Sequence, residues 1–278
     1  PYHDAVATVL STFKDFSPAF HREALNIITA DHVHPQVQKN KDTGAFCCSV
    51  ALKLNPYVLL NYTGTLRDVS TLAHELGHGI HHNLAREQTE FTFHAPLPLA
   101  ETASIFSEMV LSERLLKKYP DRAKDLLFIK LEEIYASIIR QAGFVRFELK
   151  AHKMLEEGKT IDEISKAYLQ DLRNQLGSKV EVDEIFAYEW CYIPHIFHTP
   201  FYCYAYAFGN LLTLALYETY KEKGAAYTDK IVEMLAKGGS ESPLEITGAV
   251  GADITSEKFW QSGFDVIAQM LEKVEDVE

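Results

Sequence analysis

His74 and His78 stand four residues apart, and Glu75 follows the first of them directly. On a helix, residues at that spacing project from one face, one turn above the other, so both imidazoles reach a single ion. Glu75 is rotated by about 100° from that face, which keeps it off the ion but close to a water held there. The run His74-Glu-Leu-Gly-His78 matches H-E-x-x-H, two zinc ligands with a general base between them. One Zn2+ ion is therefore the expected cofactor: it lowers the pKa of its water from about 16 towards 7, and Glu75 takes the proton.

Zinc needs a third protein ligand. The extended pattern H-E-x-x-H-x-x-G-x-x-H is excluded, because His81 occupies the glycine position and Leu84 the last histidine position. The other source is a glutamate from a neighbouring helix, and Glu87, Glu90, Glu101 and Glu108 are the candidates. Glu87 and Glu90 fall at the tail of the motif helix, too far along its axis. Glu101 follows the turn at Pro96 and Pro98, where an antiparallel return sets it opposite His74 and His78, and it is the expected ligand. Glu108, seven residues on and on the same face, either accepts an imidazole N–H or forms a surface ion pair. His81 is expected in a supporting hydrogen bond.

The elements that must position these groups are legible in part. Apolar residues at helical intervals predict two helices between Tyr2 and Ala30, separated at Ser17-Pro18 because the residue before proline avoids the α region. Residues 45–54 and 57–62 are rich in β-formers and flank Asn55-Pro56, predicting a small antiparallel hairpin. Thr65-Leu-Arg-Asp68 resembles a capping box, opening a helix to about Arg86 whose apolar surface is Val69, Leu72, Ala73, Leu76 and Ile80. Gly77 and Gly79 weaken that helix by roughly 1 kcal/mol each, so something is expected to approach its backbone closely. Further helices are predicted over residues 99–118, 121–156, 160–176, 182–188, 201–223, 228–236 and 256–274.

Bulk properties narrow the function. Net charge is −12, from 27 basic and 39 acidic side chains. That balance argues against a nucleic-acid partner, whose affinity rests on cations neutralising phosphates. No apolar run is long enough to span a bilayer. Cys47, Cys48, Cys191 and Cys203 fit no zinc or redox spacing and are expected as reduced, buried thiols of a cytoplasmic protein. The chain begins Pro-Tyr-His-Asp, without an initiator methionine, as a fragment would.

Three blocks carry a family resemblance: His74-Glu-Leu-Gly-His-Gly-Ile-His81, Leu99-Ala-Glu-Thr-Ala-Ser104, and the His- and Tyr-rich run from Ile193 to Tyr206. Together with Gly251-Ala-Asp-Ile and Phe259-Trp260, they resemble the thimet oligopeptidase and oligoendopeptidase F family of zinc metallopeptidases, in its oligoendopeptidase F branch. The resemblance implies a mainly α, helix-rich zincin of the gluzincin type, with a small antiparallel β-sheet near the active site. It implies one metallopeptidase catalytic domain over residues 1–278, the C-terminal part of a longer pattern. The family's glutamate ligand falls on Glu101, and its transition-state stabilisers fall on His195 and on tyrosines among Tyr202, Tyr204 and Tyr206. Tyr202 and Tyr206 stand one helical turn apart and share a face, whereas Tyr204 points elsewhere; Tyr206 and His195 are the preferred pair. By the resemblance, residues 43–47 correspond to the family's edge strand, beside which a peptide adds by backbone hydrogen bonds; a tight hairpin entry is the alternative reading of the same residues.

The implied activity is hydrolysis of internal bonds in short peptides, with Glu75 as base and zinc-activated water as nucleophile. The alternatives are a zinc carboxypeptidase of similar site architecture and a non-catalytic peptide-binding module with a structural metal. Family members also carry an N-terminal helical half that walls a channel, so that half is an implied partner.

Overall fold

A computed structural model describes residues 1–276. Its contacts divide the chain into two units, Pro1–Leu131 with Gly209–Glu278, and Glu132–Phe208. The first unit opens with α1 (Tyr2–Phe16) and α2 (Pro18–Thr29). Extended Ser17 ends one helix and caps the next, its hydroxyl accepting from the Ala19 and Phe20 amides while Pro18 fills the first helical position.

Three short strands follow, β1 (Val33–His34), β2 (Phe46–Cys48) and β3 (Tyr57–Leu59), in the order β1-β3-β2. The expected antiparallel pair is present, with Phe46 opposite Leu59 and Cys48 opposite Tyr57. A third strand, β1, joins β3 in parallel with Val33 opposite Val58, so the sheet is mixed. Two residues carry no alternation that would announce a strand. The Lys41 ammonium secures the sheet's end by donating to the carbonyls of His34, Gln36 and Leu60.

The motif helix, α3 (Leu66–Leu84), starts where expected. Thr65 accepts from the Asp68 amide, and the Asp68 carboxylate accepts from the amides of Thr63, Gly64 and Thr65. Shorter Asp thus completes the box by bending back over three donors, which holds its carboxyl below the usual range. Leu72, Leu76 and Ile80 are fully buried on this helix, as are Phe13, Phe20, Ile27, Phe106 and Leu111 elsewhere in the unit. Each such side chain is worth about 1.5–3 kcal/mol on burial.

The helix expected over residues 99–118 is broken. A single turn, α4 (Leu97–Ala100), ends at Glu101, and α5 (Thr102–Lys118) begins after it. Then α6 (Ala123–Ile134) leads through a π-helical stretch, Tyr135–Arg140, into α7 (Gln141–Glu156). The second unit continues with α8 (Ile161–Leu176), capped by a Thr160–Glu163 box, a 3-10 stretch over Glu184–Tyr192, and α9 (Pro194–His198). Its core is Phe144, Phe147, Ile164, Tyr168, Leu169, Leu172 and Cys203.

Helix α10 (Tyr204–Lys223) starts three residues later than expected. Phe201 has φ 59°, which no right-handed helix includes. The chain ends in α11 (Ala225–Ala236), α12 (Pro243–Ala249) and α13 (Glu257–Asp276). No described helix is long and apolar enough to cross a membrane. All four cysteines are free, but only Cys203 is buried; Cys48 and Cys191 are exposed, against the expectation.

Candidate metal centre

Helices α3 and α5 pack antiparallel: His78 faces Glu101, Gly77 faces Ser104, and His74 faces Glu108. Gly77 makes this approach possible. A Cβ there would lie 2.6 Å from the Ser104 Cα and 2.7 Å from the Ala103 carbonyl oxygen, both backbone atoms that cannot swing aside. The unfavourable glycine inside the motif is thereby explained.

At the crossing, His74 Nε2 and His78 Nε2 are 3.1 Å apart, and Glu101 Oε2 lies 3.5 Å from the first and 3.4 Å from the second. A tetrahedron with metal–ligand bonds of about 2.0–2.1 Å has edges of about 3.3 Å. The three distances match such edges, and two imidazoles with one carboxylate form a donor set that suits zinc. These are the residues named from the sequence, and among the described residues they form the one cluster of metal-type ligands. The helix break aims Glu101: its backbone stands at φ −87°, ψ −3°, and the Ser104 hydroxyl donates at 2.9 Å to both its carbonyl and its Oε2. Gly209 closes in from α10, where a Cβ would come within 3.2 Å of the Glu101 Cβ.

Behind these three side chains lies a buried chain of contacts. Glu108 Oε1 meets His74 Nδ1 at 2.5 Å, and its Oε2 accepts from Lys130 at 2.5 Å. Of the two roles open to Glu108, the structure therefore has the histidine contact and not a surface pair. Burial opposes ionisation of Glu108, but the Lys130 charge and the His74 hydrogen bond outweigh it and hold its carboxyl down at about 2. Burial likewise opposes the His74 cation, yet Glu108, with Glu101 and Glu75 behind it, raises that imidazole to about 9. His78 is lowered, chiefly by burial. His81 is buried and lowered to about 4, with backbone bonds to Ala100 and Leu235 partly offsetting the burial. It supports the site as a neutral ring.

Glu75 is buried, and desolvation raises its carboxyl to about 7, a value at which it both takes and returns protons near neutrality. It faces a cleft of about 610 Å³ between the ligands, residues 45–49 and residues 93–95. Strand β2, an edge of the sheet, forms one wall. Cys47 in that wall is pushed up to about 12 by burial and by Glu75, so it is an inert thiol.

The second unit holds the other expected residues. His195 on α9 and Tyr206 on α10 share a hydrogen bond of 3.1 Å between Nε2 and the phenol. Tyr202 stacks on His195 with ring centroids 5.5 Å apart and meets Tyr206 edge-on at 5.0 Å. The three side chains form one cluster, although Tyr202 precedes α10 instead of lying on it.

The sequence model of peptidase family M3 matches residues 18–266. The chain belongs to this family. It is 32% identical over 244 residues to an oligoendopeptidase F homolog of Borreliella burgdorferi, covering 85% of this chain and 41% of that protein. Against oligopeptidase PepF of Bacillus subtilis the identity is 28%, over 86% of this chain and 36% of the relative. A crystal structure from Chlamydophila abortus superposes with a TM-score of 0.83 at 30% identity, covering all of this chain and 47% of that one. The chain thus spans less than half the length of these relatives.

Within this M3 chain, several supporting residues escaped sequence reasoning. Ser104 carried a local signal, since it stands three residues after Glu101, the spacing at which a hydroxyl reaches back to a helix start. Lys130 and Gly209 carried none, because their contacts to Glu108 and Glu101 arise only from tertiary packing.

Proposed function

We propose that this chain is the catalytic part of a zinc-dependent endopeptidase that cleaves internal bonds of short peptides. One observation carries the reading: His74, His78 and Glu101 converge within 3.5 Å of one another beside buried Glu75, on an open cleft. Zinc held by these three ligands would polarise the scissile carbonyl and acidify water. Glu75, raised to about 7, takes the proton of the attacking water and returns it to the leaving amine. Glu108 fixes the His74 ring by accepting from Nδ1–H, which would present Nε2 to the ion once zinc displaces its proton. The β2 edge offers backbone groups to an extended peptide, which favours loose sequence preference. His195 and Tyr206 are assigned to stabilising the oxyanion, Tyr202 to holding them, and both units to one catalytic domain.

A quenched peptide tests the proposal. Hydrolysis is expected to vanish with chelator and return with zinc, and Glu75→Gln should keep zinc while losing about 10²–10⁴-fold in kcat. Mass spectrometry of the products distinguishes internal cleavage from carboxypeptidase trimming. Full activity in a folded Glu75→Gln protein refutes the mechanism, and zinc binding without any hydrolysis points to a structural metal.

A further inference from the structure

We propose that Glu148 is a positioning residue for the His195–Tyr202–Tyr206 cluster, holding the turn at Phe201 in the left-handed conformation that sets Tyr202 against His195. The role in catalysis rests on the function proposed above; the role in the turn does not.

Glu148 lies mid-way along α7, flanked by the core residues Phe144 and Phe147, and is only 1% exposed. A carboxylate in such surroundings is costly unless something specific compensates it. Among the described residues no lysine, arginine or histidine is paired with it. Its Oε1 accepts the Phe201 amide at 2.8 Å, and its Oε2 has no partner. This buried carboxylate is therefore committed to one backbone N–H.

That N–H belongs to a strained residue. Phe201 has φ 59°, a region that a bulky L-residue rarely enters and that glycine occupies freely. A charge-assisted bond to its amide offsets the strain. The ring of Phe201 lies 4.9 Å from that of His152, one turn beyond Glu148 on the same face of α7. The helix thus grips the residue at both its amide and its ring.

The turn carries the cluster. The Thr199 amide donates to the His195 carbonyl, the Tyr202 amide to that of Thr199, and the Ala205 amide to that of Tyr202. Fully buried Cys203 anchors the next residue in the same core as Phe144 and Phe147. Tyr202 is thereby aimed at the His195 ring, 5.5 Å away with the planes 7° apart. With Phe201 right-handed, α10 would extend back through Tyr202 and re-aim its side chain. Pro200 restrains Thr199, but nothing local forces Phe201 into its conformation. Glu148 does.

The test uses the full chain loaded with zinc, in four forms: wild type, Glu148→Ala, Glu148→Gln, and Glu148→Ala combined with Phe201→Gly. Amide exchange over residues 201–206 and hydrolysis of a quenched peptide are both measured. Glu148→Ala is expected to speed exchange at the Phe201 amide about tenfold or more. It should lower kcat by roughly 10–100-fold, the scale of an ångström-level misplacement, with KM and zinc affinity unchanged. Glu148→Gln, which still offers a carbonyl acceptor, should retain most activity. Adding Phe201→Gly should restore most of kcat, because glycine holds the turn without help. A merely structural role would not yield to that second substitution. Wild-type exchange in Glu148→Ala overturns the proposal, as does a loss of kcat that Phe201→Gly leaves uncorrected. If Glu148→Ala does not fold, the same comparison is made with Glu148→Leu, which fills the space without an acceptor, alone and with Phe201→Gly. If the wild type hydrolyses no peptide, the proposed function fails, and exchange alone decides whether Glu148 sets the turn.

Discussion

The two clusters of functional side chains are held in opposite ways. His74, His78 and Glu101 sit on or at the end of helices whose backbones touch through Gly77 and whose apolar faces are fully buried. Their geometry is over-determined by packing. His195, Tyr202 and Tyr206 occupy a five-residue helix, a strained turn and the first turn of α10, with a ring-to-phenol bond and a buried carboxylate among their ties. A metal site demands donor positions fixed to a few tenths of an ångström, which regular helices supply. Groups that meet a changing substrate tolerate, and benefit from, irregular backbone.

The comparison is most directly broken at Gly77. Gly77→Val forces side-chain carbon into the Ser104 Cα and the Ala103 carbonyl. Zinc affinity should fall by about 100-fold or more in a chelator competition, with overpacking costing a further 1–3 kcal/mol or so in thermal unfolding. Wild-type zinc binding in this variant would show that close helix approach does not set the ligands. Tyr206→Phe sharpens the contrast from the other side: zinc affinity should be unchanged while kcat drops by about 10²–10³-fold. Equal losses in both measurements would mean that the clusters are not held independently.

Glu108→Gln lies between these extremes. It removes the charge that orients His74 and the carboxylate oxygen that accepts from Lys130. Zinc affinity should weaken by about 10–100-fold, and activity at saturating zinc should largely survive.

The smallest effect is in pH dependence, read by urea unfolding of chelator-treated protein. The folded-state value of Glu75 is raised from 4.5 to about 7, so the folded state binds the extra proton and stability falls as pH rises through that window. His74, raised from 6.5 to about 9, contributes stability that is complete below 6.5 and lost by about pH 9. Glu108, lowered from 4.5 to about 2, acts the other way and is lost only as pH falls below 4.5. Metal-stripped protein should therefore weaken from about pH 5 to 9, by roughly 3 kcal/mol for each of the first two groups. Glu75→Gln should flatten the lower part of that slope. An unchanged slope between pH 5 and 7 would show that burial of Glu75 is not its source.

Most helices were legible because their signals are local. Ser17-Pro18 and the box at Thr65 to Asp68 mark helix starts through bonds spanning two or three residues. Strand β1 was not legible, since two residues paired with Val58 and Leu59 have no periodicity of their own. The break at Glu101 was missed for the opposite reason: residues 99–118 carry unbroken helical character, and the interruption falls where Glu101 meets His74 and His78 across the helix crossing. The late start of α10 has the same origin, with a distant carboxylate overriding what residues 201–203 would do alone.

The sequence by itself located the candidate metal site. His74, Glu75 and His78 are set by helix periodicity, and Glu101 by the length of a helix–turn–helix return. It also determined the family, because motifs spread over most of the chain carry the match to residues 18–266. Only the tertiary structure decided how those groups are held and tuned. The backing of His74 by Glu108 and Lys130, the raised carboxyl of Glu75 and the grip of Glu148 on Phe201 join residues 22 to 53 positions apart. Burial and hydrogen bonding act through space, and no pattern along the chain records which distant side chain will supply them.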